Sequence, residues 1–434
     1  MTSGSSLEEA AGTRKSAPVR LGRQFTKFWC ASATSASGMG VSLAAAPLLA
    51  SRLTDDPRLI AGVTMALTMP YALFGIPAGV VVDRIDRRRT MARIDLFRGC
   101  LVSLLVLSIA VGMAHLWILY TAFFVVGTCE TVYRNAAQTM VPSVVSRERL
   151  VLANGRIMSS EMVANQFLGP LLGSALFVLA PAAPFGYNVV TFFMASFLLG
   201  RLTLLPGEEP AGPARQDRPG LLTDMATGLR WMFRHRLLRS LSLTAAAINL
   251  VYTGAMAVFV VYAHSVLGLS DLGYGVLVAC QAVGAVTASQ VSPRLVSRVG
   301  NGPALVCVVA AIGCSNLVLW QVPTIWAVGA ALAVASCACV TWNIVAVVLR
   351  QTLVPRDLQG RVNSIYRLFA WGALPIGAAL AGAVSKSYGT PRVYALGVAV
   401  MALVTIRMAF GTRRWFVTPE AGAPVPPPPD DGPA

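Results

Sequence analysis

The chain has 434 residues, 55% of them hydrophobic and 12% charged, with a mean hydropathy of +0.64. A soluble domain carries about 25% charged residues, so most of this surface is excluded from water, and the alternating pattern of an outer-membrane barrel is absent. The formal net charge of +16 invites a nucleic-acid reading, which the placement of the charges excludes below.

Apolar stretches of roughly 20 residues cross a bilayer as helices, and twelve are predicted. Residues 1–24 are polar, read as an N-terminal tail with no cleavable signal peptide. A first bundle, residues 25–206, holds Phe28–Leu49, Leu59–Val82, Arg93–Met113, Leu116–Ala136, Asn154–Leu179 and Phe185–Leu205. The longest break follows at 207–236: Gly207-Glu208-Glu209-Pro210-Ala211-Gly212-Pro213 reads as linker, and Leu221–Arg236 as an amphipathic surface helix. Its Arg230, Arg234 and Arg236 would meet headgroups while Leu229, Trp231 and Phe233 partly bury. A second bundle, residues 237–412, holds Leu238–Leu267, Tyr274–Val291, Ala304–Val322, Ile325–Leu349, Ser364–Ser385 and Val393–Phe410, and 413–434 is a Pro-rich tail. The fold class is therefore an all-α membrane protein of two six-helix bundles.

With an even number of spans and both ends inside, the external loops contain only Arg52, Arg58, Lys386 and Arg392, so 31 of the 35 basic residues fall on the cytoplasmic side. That is the positive-inside rule. The basic excess sets topology and meets anionic lipid, which removes the case for nucleic acid.

A pentapeptide divides the chain. Gln138-Thr139-Met140-Val141-Pro142 returns 213 positions later as Gln351-Thr352-Leu353-Val354-Pro355, and both copies close an apolar span and lead through a basic loop into the next. Two half-length membrane repeats imply an architecture in which one half rocks against the other.

Two constellations suit such motion. Gly79-Val80-Val81-Val82-Asp83-Arg84-Ile85-Asp86-Arg87-Arg88-Arg89 places a small residue for helix contact before an acid that can pair with Arg84 or with a helix N-terminus, a charge latch for one face. Gly79, Asp83, Arg84, Arg87 and Arg88 are its candidate gate residues; its counterpart, Ser292 to Arg298, lacks the acid. In the fifth span Gly169-Pro170-Leu171-Leu172-Gly173 combines a helix-kinking proline with glycines that permit a tight crossing.

These motifs resemble those of the major facilitator superfamily. The 79–89 run is similar to its G-x-x-x-D-R-x-[GD]-R-[RK] motif, and Gly169-Pro170-x-x-Gly173 to the helix-5 motif of its antiporters, with Asn165 where an upstream glycine is usual. Glu130 to Gln138 with Pro142, Ala153-Asn154-Gly155-Arg156, Arg361 to Arg367 and Trp371-Gly372-Ala373-Leu374-Pro375 resemble the branch that exports macrolides, tetracycline and enterobactin. Arg134 stands where that branch often has an acid. The resemblance covers about residues 25–412 and implies export by proton antiport, driven by the proton gradient without a cofactor. It further implies a bacterial inner-membrane location and a monomer, with a small organic molecule, protons and lipids as partners.

Charge at membrane depth is costly and by default functional. Three acids qualify: Asp95, one turn from Arg98; Glu130, four residues before Arg134; and Glu161. Glu161 shares a polar stripe with Asn154 and Asn165 and has no base on its own helical face. Unless Arg98 or Arg134 reaches it across helices, its environment suits a proton carrier. Glu130 and Arg134 are the other proton-coupling candidates. Applying the 213-residue offset, Glu130 corresponds to Asn343 and Arg134 to Val347, so the second half offers neutral contacts: Asn249, Tyr252, Trp342 and Asn343, with Asn165 from the first half.

All eight cysteines fall within spans and none has metal-ligand spacing; His115, His235 and His264 show no catalytic or metal pattern. No nucleotide or nucleophile motif is present, so neither an enzyme nor an ATP-driven pump is expected. Import or facilitated diffusion through the same fold, and a membrane receptor that moves nothing, remain as alternatives.

Overall fold

The structure is a computed structural model that describes residues 21–82, 85–146, 149–203, 229–355 and 358–415. Six helices form the first half: α1 Arg23–Leu53, α2 Pro57–Val82, α3 Arg87–Ala110, α4 Leu116–Met140, α5 and α6 Ala183–Gly200. Helix α5 is composite, running through Leu150–Met162, a π-helical stretch Val163–Leu168 and Gly169–Leu179. The second half holds α7 Arg236–Ala257 with its extension Phe259–Ser265, α8 Asp271–Val299, α9 Asn301–Gln321, α10 Ile325–Leu353, α11 Gln359–Tyr388 and α12 Thr390–Trp415. The pentapeptide copies close α4 and α10, the fourth helix of each half.

Eleven of these helices are long and apolar enough to span a bilayer. The twelfth, α3, has the length but carries Arg93, Asp95 and Arg98 within its apolar stretch. Asp95 and Arg98 are wholly buried, so this helix hides its charge inside the bundle and still presents an apolar outside, with Leu104 and Leu107 exposed.

Inside each half, close packing follows from small residues. The crossing of α1 with α5 is one of the close ones: a Cβ on Gly40 would stand 2.6 Å from the Ala164 carbonyl oxygen, and one on Gly169 would stand 2.7 Å from the Gly40 backbone. No side chain fits there, which accounts for Gly40 by contact alone, while Gly38 is crowded by Thr191 and Asn188 of α6. Of its serines, Ser32 and Ser35 face a cavity, while Ser42 accepts a hydrogen bond from Asn188 at 2.7 Å.

The halves meet through α2 against α11 and α5 against α8, pairs related by the internal repeat. Arg23 and Trp415 lie at one end of the bundle, here the termini end. At the opposite, far end a single apolar core joins both halves, with Leu48 and Phe177 from the first and Phe259, Tyr262 and Tyr274 from the second. At the termini end the cores are separate: Phe25, Phe28 and Tyr133 belong to one, and Leu241, Trp342 and Tyr366 to the other. The shell is thus sealed at the far end and parted at the termini end.

Only the last part of the amphipathic segment, from residue 229, is described. Met232 is buried in the second-half core and Phe233 lies edge-on to Phe369 at 5.7 Å. This segment meets α11 through Phe233 and α7 through Met232, whose Sδ accepts from Ser242 Oγ at 3.2 Å; the sequence reading, which assigned partial burial to Leu229, Trp231 and Phe233, did not include Met232. Leu229 and Phe233 remain 40% and 37% exposed. The linker at 207–213 and the tail at 416–434 lie outside the described residues.

Candidate functional site

Between the parted halves lie three adjoining cavities. The first, about 320 Å³, belongs to the first half and is lined by Ser35, Glu130, Arg134, Asn154, Glu161 and Asn165, among others. The second, about 290 Å³, is lined by Gln166, Asn249, Tyr252, Trp342 and Asn343. The third, about 490 Å³, forms a vestibule at the termini end of α10 and α11. Arg367 lines both the first and the third, and Asn343, Tyr366 and Trp371 line both the second and the third. All five residues selected from sequence as substrate contacts therefore face this central space.

Behind the first cavity stands an ionic chain. Arg134 Nε lies 2.6 Å from Glu130 Oε1, Arg98 Nη2 lies 3.1 Å from Glu130 Oε2, and Arg98 Nη1 lies 3.5 Å from Asp95 Oδ1. Ser35 donates to Asp95 Oδ1 at 3.1 Å and connects the chain to the cavity wall. Arg98 is sandwiched by aromatic faces, with its Cζ 4.9 Å from the Tyr133 ring centroid and 5.4 Å from that of Phe192. The Glu130–Arg134 and Asp95–Arg98 pairs agree with the helical spacing. The Arg98–Glu130 bridge between α3 and α4 was not foreseen, and it joins two local pairs into one network. Two carboxylates and two guanidiniums leave that network neutral, so a buried charge costs least here.

Glu161 lies outside it. The residue is half-buried on the wall of the cavity that Arg134 also lines, and among the described residues it forms no salt bridge within 4.0 Å. The polar stripe read from sequence is present, since Asn154, Glu161 and Asn165 all line one cavity. Arg98, spent on Asp95 and Glu130, is not the residue that reaches toward Glu161; Arg134 is the nearer base, reaching from its own pair.

The helix around Glu161 is not a simple α-helix with a proline kink. Pro170 lacks an N–H and its ring crowds the carbonyl four residues earlier. The chain answers with the π-helical stretch Val163–Leu168, whose wider turn relieves that crowding. Asn165 Nδ2 donates to the Glu161 carbonyl at 2.9 Å and braces the transition. The extra residue also turns Gln166 away from the first cavity and into the second. A π-turn of this kind was invisible to a 3.6-residue pattern, and Gln166 was missed for that reason.

In the second half the neutral candidates have structural duties as well. Asn249 donates to the Ala370 carbonyl at 2.7 Å, tying α7 to α11, and Tyr252 hydroxyl donates to Gln281. Asn343 donates to the Cys339 carbonyl at 3.0 Å, and Trp342 is buried. Each keeps a polar atom or ring face for the cavity. Arg350 and Arg367 were overlooked because the search for costly charge considered acids alone.

Of the gate residues, Arg87 donates to the Thr139 carbonyl at 3.3 Å and so ties the start of α3 to the end of α4. Arg88 donates to the carbonyls of Leu202 and Gly200, the latter at 3.3 Å, tying α3 to the end of α6. Asp86 caps α3 by accepting from the Arg89 amide at 3.0 Å. Gly79 is helical within α2, whereas Asp83 and Arg84 lie outside the described residues. Gly169 and Gly173 serve the α1 crossing, with a Cβ on Gly173 falling 2.7 Å from the Val41 carbonyl oxygen.

The far end carries its own ionic closure. Arg52 of α1 pairs with Asp271 of α8 at 2.7 Å, and His264 Nε2 lies 3.2 Å from the same carboxylate. Asp56 pairs with Arg58 at 2.9 Å and reaches Lys386 of the other half at 3.5 Å. The hydrogen-bonded Arg58 guanidinium holds the Asp56 carboxyl down at about 2.

Comparison with known proteins agrees with this architecture. Residues 13–421 match the transmembrane secretion effector family. The multidrug efflux pump Tap of Mycobacterium tuberculosis is 24% identical over 400 residues, covering 89% of this chain and 93% of its own. Tap of Mycolicibacterium fortuitum is 27% identical over 382 residues, covering 83% and 88%, and the uncharacterized MFS-type transporter YvqJ of Bacillus subtilis is 22% identical over 349, covering 80% and 82%. Among solved structures, the nucleoside transporter NupG superposes with a TM-score of 0.69 at 12% identity, covering 92% of this chain and 100% of that one. An inward-facing bacterial homologue of the iron transporter ferroportin gives 0.67 at 15% identity, covering 91% and 100%. The fold is that of a transporter and not of an enzyme, and the chain belongs to the transmembrane secretion effector family of the major facilitator superfamily.

Proposed function

We propose that the chain exports a small organic molecule from a bacterial cytoplasm in exchange for protons, by alternating access of its two halves. Both termini are then cytoplasmic, a reading supported by the placement of 31 basic residues on that side, and in it the parted face opens to the cytoplasm while the sealed face lies outside. The efflux pumps among its relatives support the direction.

One observation carries the coupling: Glu161 faces the central cavity outside the neutral Asp95–Arg98–Glu130–Arg134 network. Glu130 has two fixed cationic partners and stays ionised, with Arg134 shaping the field at the cavity wall. Glu161 lies about 16 Å along α5 from its start by helical rise, and protonating it removes a half-buried charge that has no salt bridge within 4.0 Å among the described residues. Substrate and proton then compete for a cavity whose polarity each changes. The proton gradient is the only energy source required, and no cofactor enters. Asp83 with Arg84 completes the cytoplasmic latch, so that at matched expression Asp83→Asn slows turnover.

Glu161→Gln in everted vesicles tests the coupling. The variant should bind substrate and exchange it between equal pools while losing accumulation driven by an acid-inside gradient. Full gradient-driven accumulation by Glu161→Gln overturns the assignment, and accumulation that an acid-inside gradient opposes makes the protein a symporter.

A further inference from the structure

The vestibule of about 490 Å³ has a chemistry unlike that of the first cavity. Two guanidiniums, Arg350 and Arg367, line it together with the amides of Asn343, Gln351, Gln359 and Asn363. Among the described residues no carboxylate lines it, and neither arginine has an acidic partner within 4.0 Å.

A topogenic arginine extends toward headgroups. These two do not. Arg350 Cζ lies 3.4 Å from the centroid of the Tyr366 ring, and its Nη1 is shut from solvent without a hydrogen-bond acceptor among the described residues. Arg367 Cζ lies 5.2 Å from the Trp371 ring centroid, and its Nη2 donates to Gln138 of the opposite half at 3.2 Å. A guanidinium laid on an aromatic face is fixed in plane and keeps its N–H edge for a partner. The internal repeat shows that this is particular to the second half: the 213-residue offset places Ala137 opposite Arg350 and Asn154 opposite Arg367. In the first half Arg98 and Arg134 are both paired with carboxylates, whereas among the described residues Arg350 and Arg367 of the second half have none.

We propose that this vestibule is the entry site for an organic anion, a flat ring bearing a carboxylate, sulfate or phosphate, with Arg350 and Arg367 receiving the charge and Tyr366 and Trp371 meeting the ring. This rests on the export reading for the direction of passage but not for binding. Arg367 lines the Glu161 cavity as well, so an anion held there stands beside the cavity in which the proton carrier works. Each guanidinium can offer a carboxylate or phosphate a planar, bidentate pair of N–H donors that a lysine cannot reproduce.

Binding to the purified full chain in neutral-lipid nanodiscs, followed with tritiated 1-naphthoate, 1-naphthamide and 1-naphthylmethylammonium, tests this. Naphthoate should bind at least about tenfold more tightly than the amide or the cation, the scale of a charge-assisted hydrogen-bond pair. The double variant Arg350→Gln/Arg367→Gln, confirmed as monodisperse with an unchanged melting temperature, should lose that preference, and Arg367→Lys should restore only part of it. Should the double variant not remain folded, Trp371→Leu with both arginines present provides the second arm and should weaken all three probes alike. Naphthoate binding no tighter than amide binding, absence of any binding included, overturns the proposal, as does loss of naphthoate binding when the nanodiscs contain phosphatidylglycerol, which makes the site one for lipid headgroups. Tight naphthoate binding without flux in vesicles would refute the export reading alone; proton-driven flux of cations without naphthoate binding would refute this inference alone.

Discussion

Arg98 of α3 lies 3.1 Å from Glu130 of α4, and that bridge converts two separate intrahelical ion pairs into one buried network. We propose on that ground that Glu130 is a structural acid. Glu130→Gln leaves Arg134 without its partner and Arg98 with Asp95 alone, so the variant should lose roughly 3–5 kcal/mol of stability and show reduced yield and a lower melting temperature. Normal thermal stability together with lost proton coupling would instead make Glu130 the carrier and Arg134 its modulator.

The α1–α5 crossing admits no side chain at Gly169. Because the atoms a Cβ would meet are backbone, 2.7 Å away at Gly40, neither helix can yield without separating. Gly169→Leu should therefore abolish surface expression or leave protein that aggregates on extraction, whereas Gly186→Ala, at a position open on all sides, should be neutral. Equal yields of the two variants would contradict the close crossing.

At the far end, Asp271 holds Arg52 at 2.7 Å and His264 at 3.2 Å. Arg52 is largely exposed, and an exposed pair contributes about 1 kcal/mol or less, so Asp271→Asn should shift the closed-to-open ratio of this face by no more than about fivefold. Spin labels across the far end would measure it. The Asp56 contact with Lys386 should resist acid. A carboxyl held down at about 2 by Arg58 is ionised above that value, so its contribution is present at ordinary pH and is lost only as pH falls through about 2. Far-end distances should accordingly be the same at pH 5 and pH 8 in an Asp271→Asn background.

Orientation is tested by labelling. In a cysteine-free background, Asp271→Cys and Lys386→Cys should react with an impermeant maleimide in intact cells, and Arg215→Cys should not. Rapid labelling of Arg215→Cys from outside would invert the assignment of faces, and with it the direction of transport.

Much of the fold was legible because the bilayer imposes a single strong rule on sequence. Helices must be apolar for about 20 residues, so spans, their number and their pairing by the pentapeptide repeat could be read along the chain. The ends could not. Helix α3 begins at Arg87 rather than Arg93, α5 at Leu150 rather than Asn154, and α11 at Gln359 rather than Ser364. Each overrun is at the termini end, because backbone hydrogen bonding continues where hydropathy stops.

The site divides along the same line. Spacing on one helix determined the Glu130–Arg134 pair and the Asn154–Glu161–Asn165 stripe, since neighbours at three, four and seven positions share a face by geometry, and the 213-residue offset determined the neutrality of the second-half candidates. Only the tertiary structure decided that Arg98 belongs to Glu130 as well as Asp95, that a π-turn sends Gln166 across to the second half, and that Arg367 reaches across to Gln138. Those relations join residues 32, 83 and 229 positions apart along the chain in the cases of Arg98–Glu130, Gln166–Asn249 and Gln138–Arg367. No periodicity within one helix encodes them; they follow from which helices the small residues allow to touch.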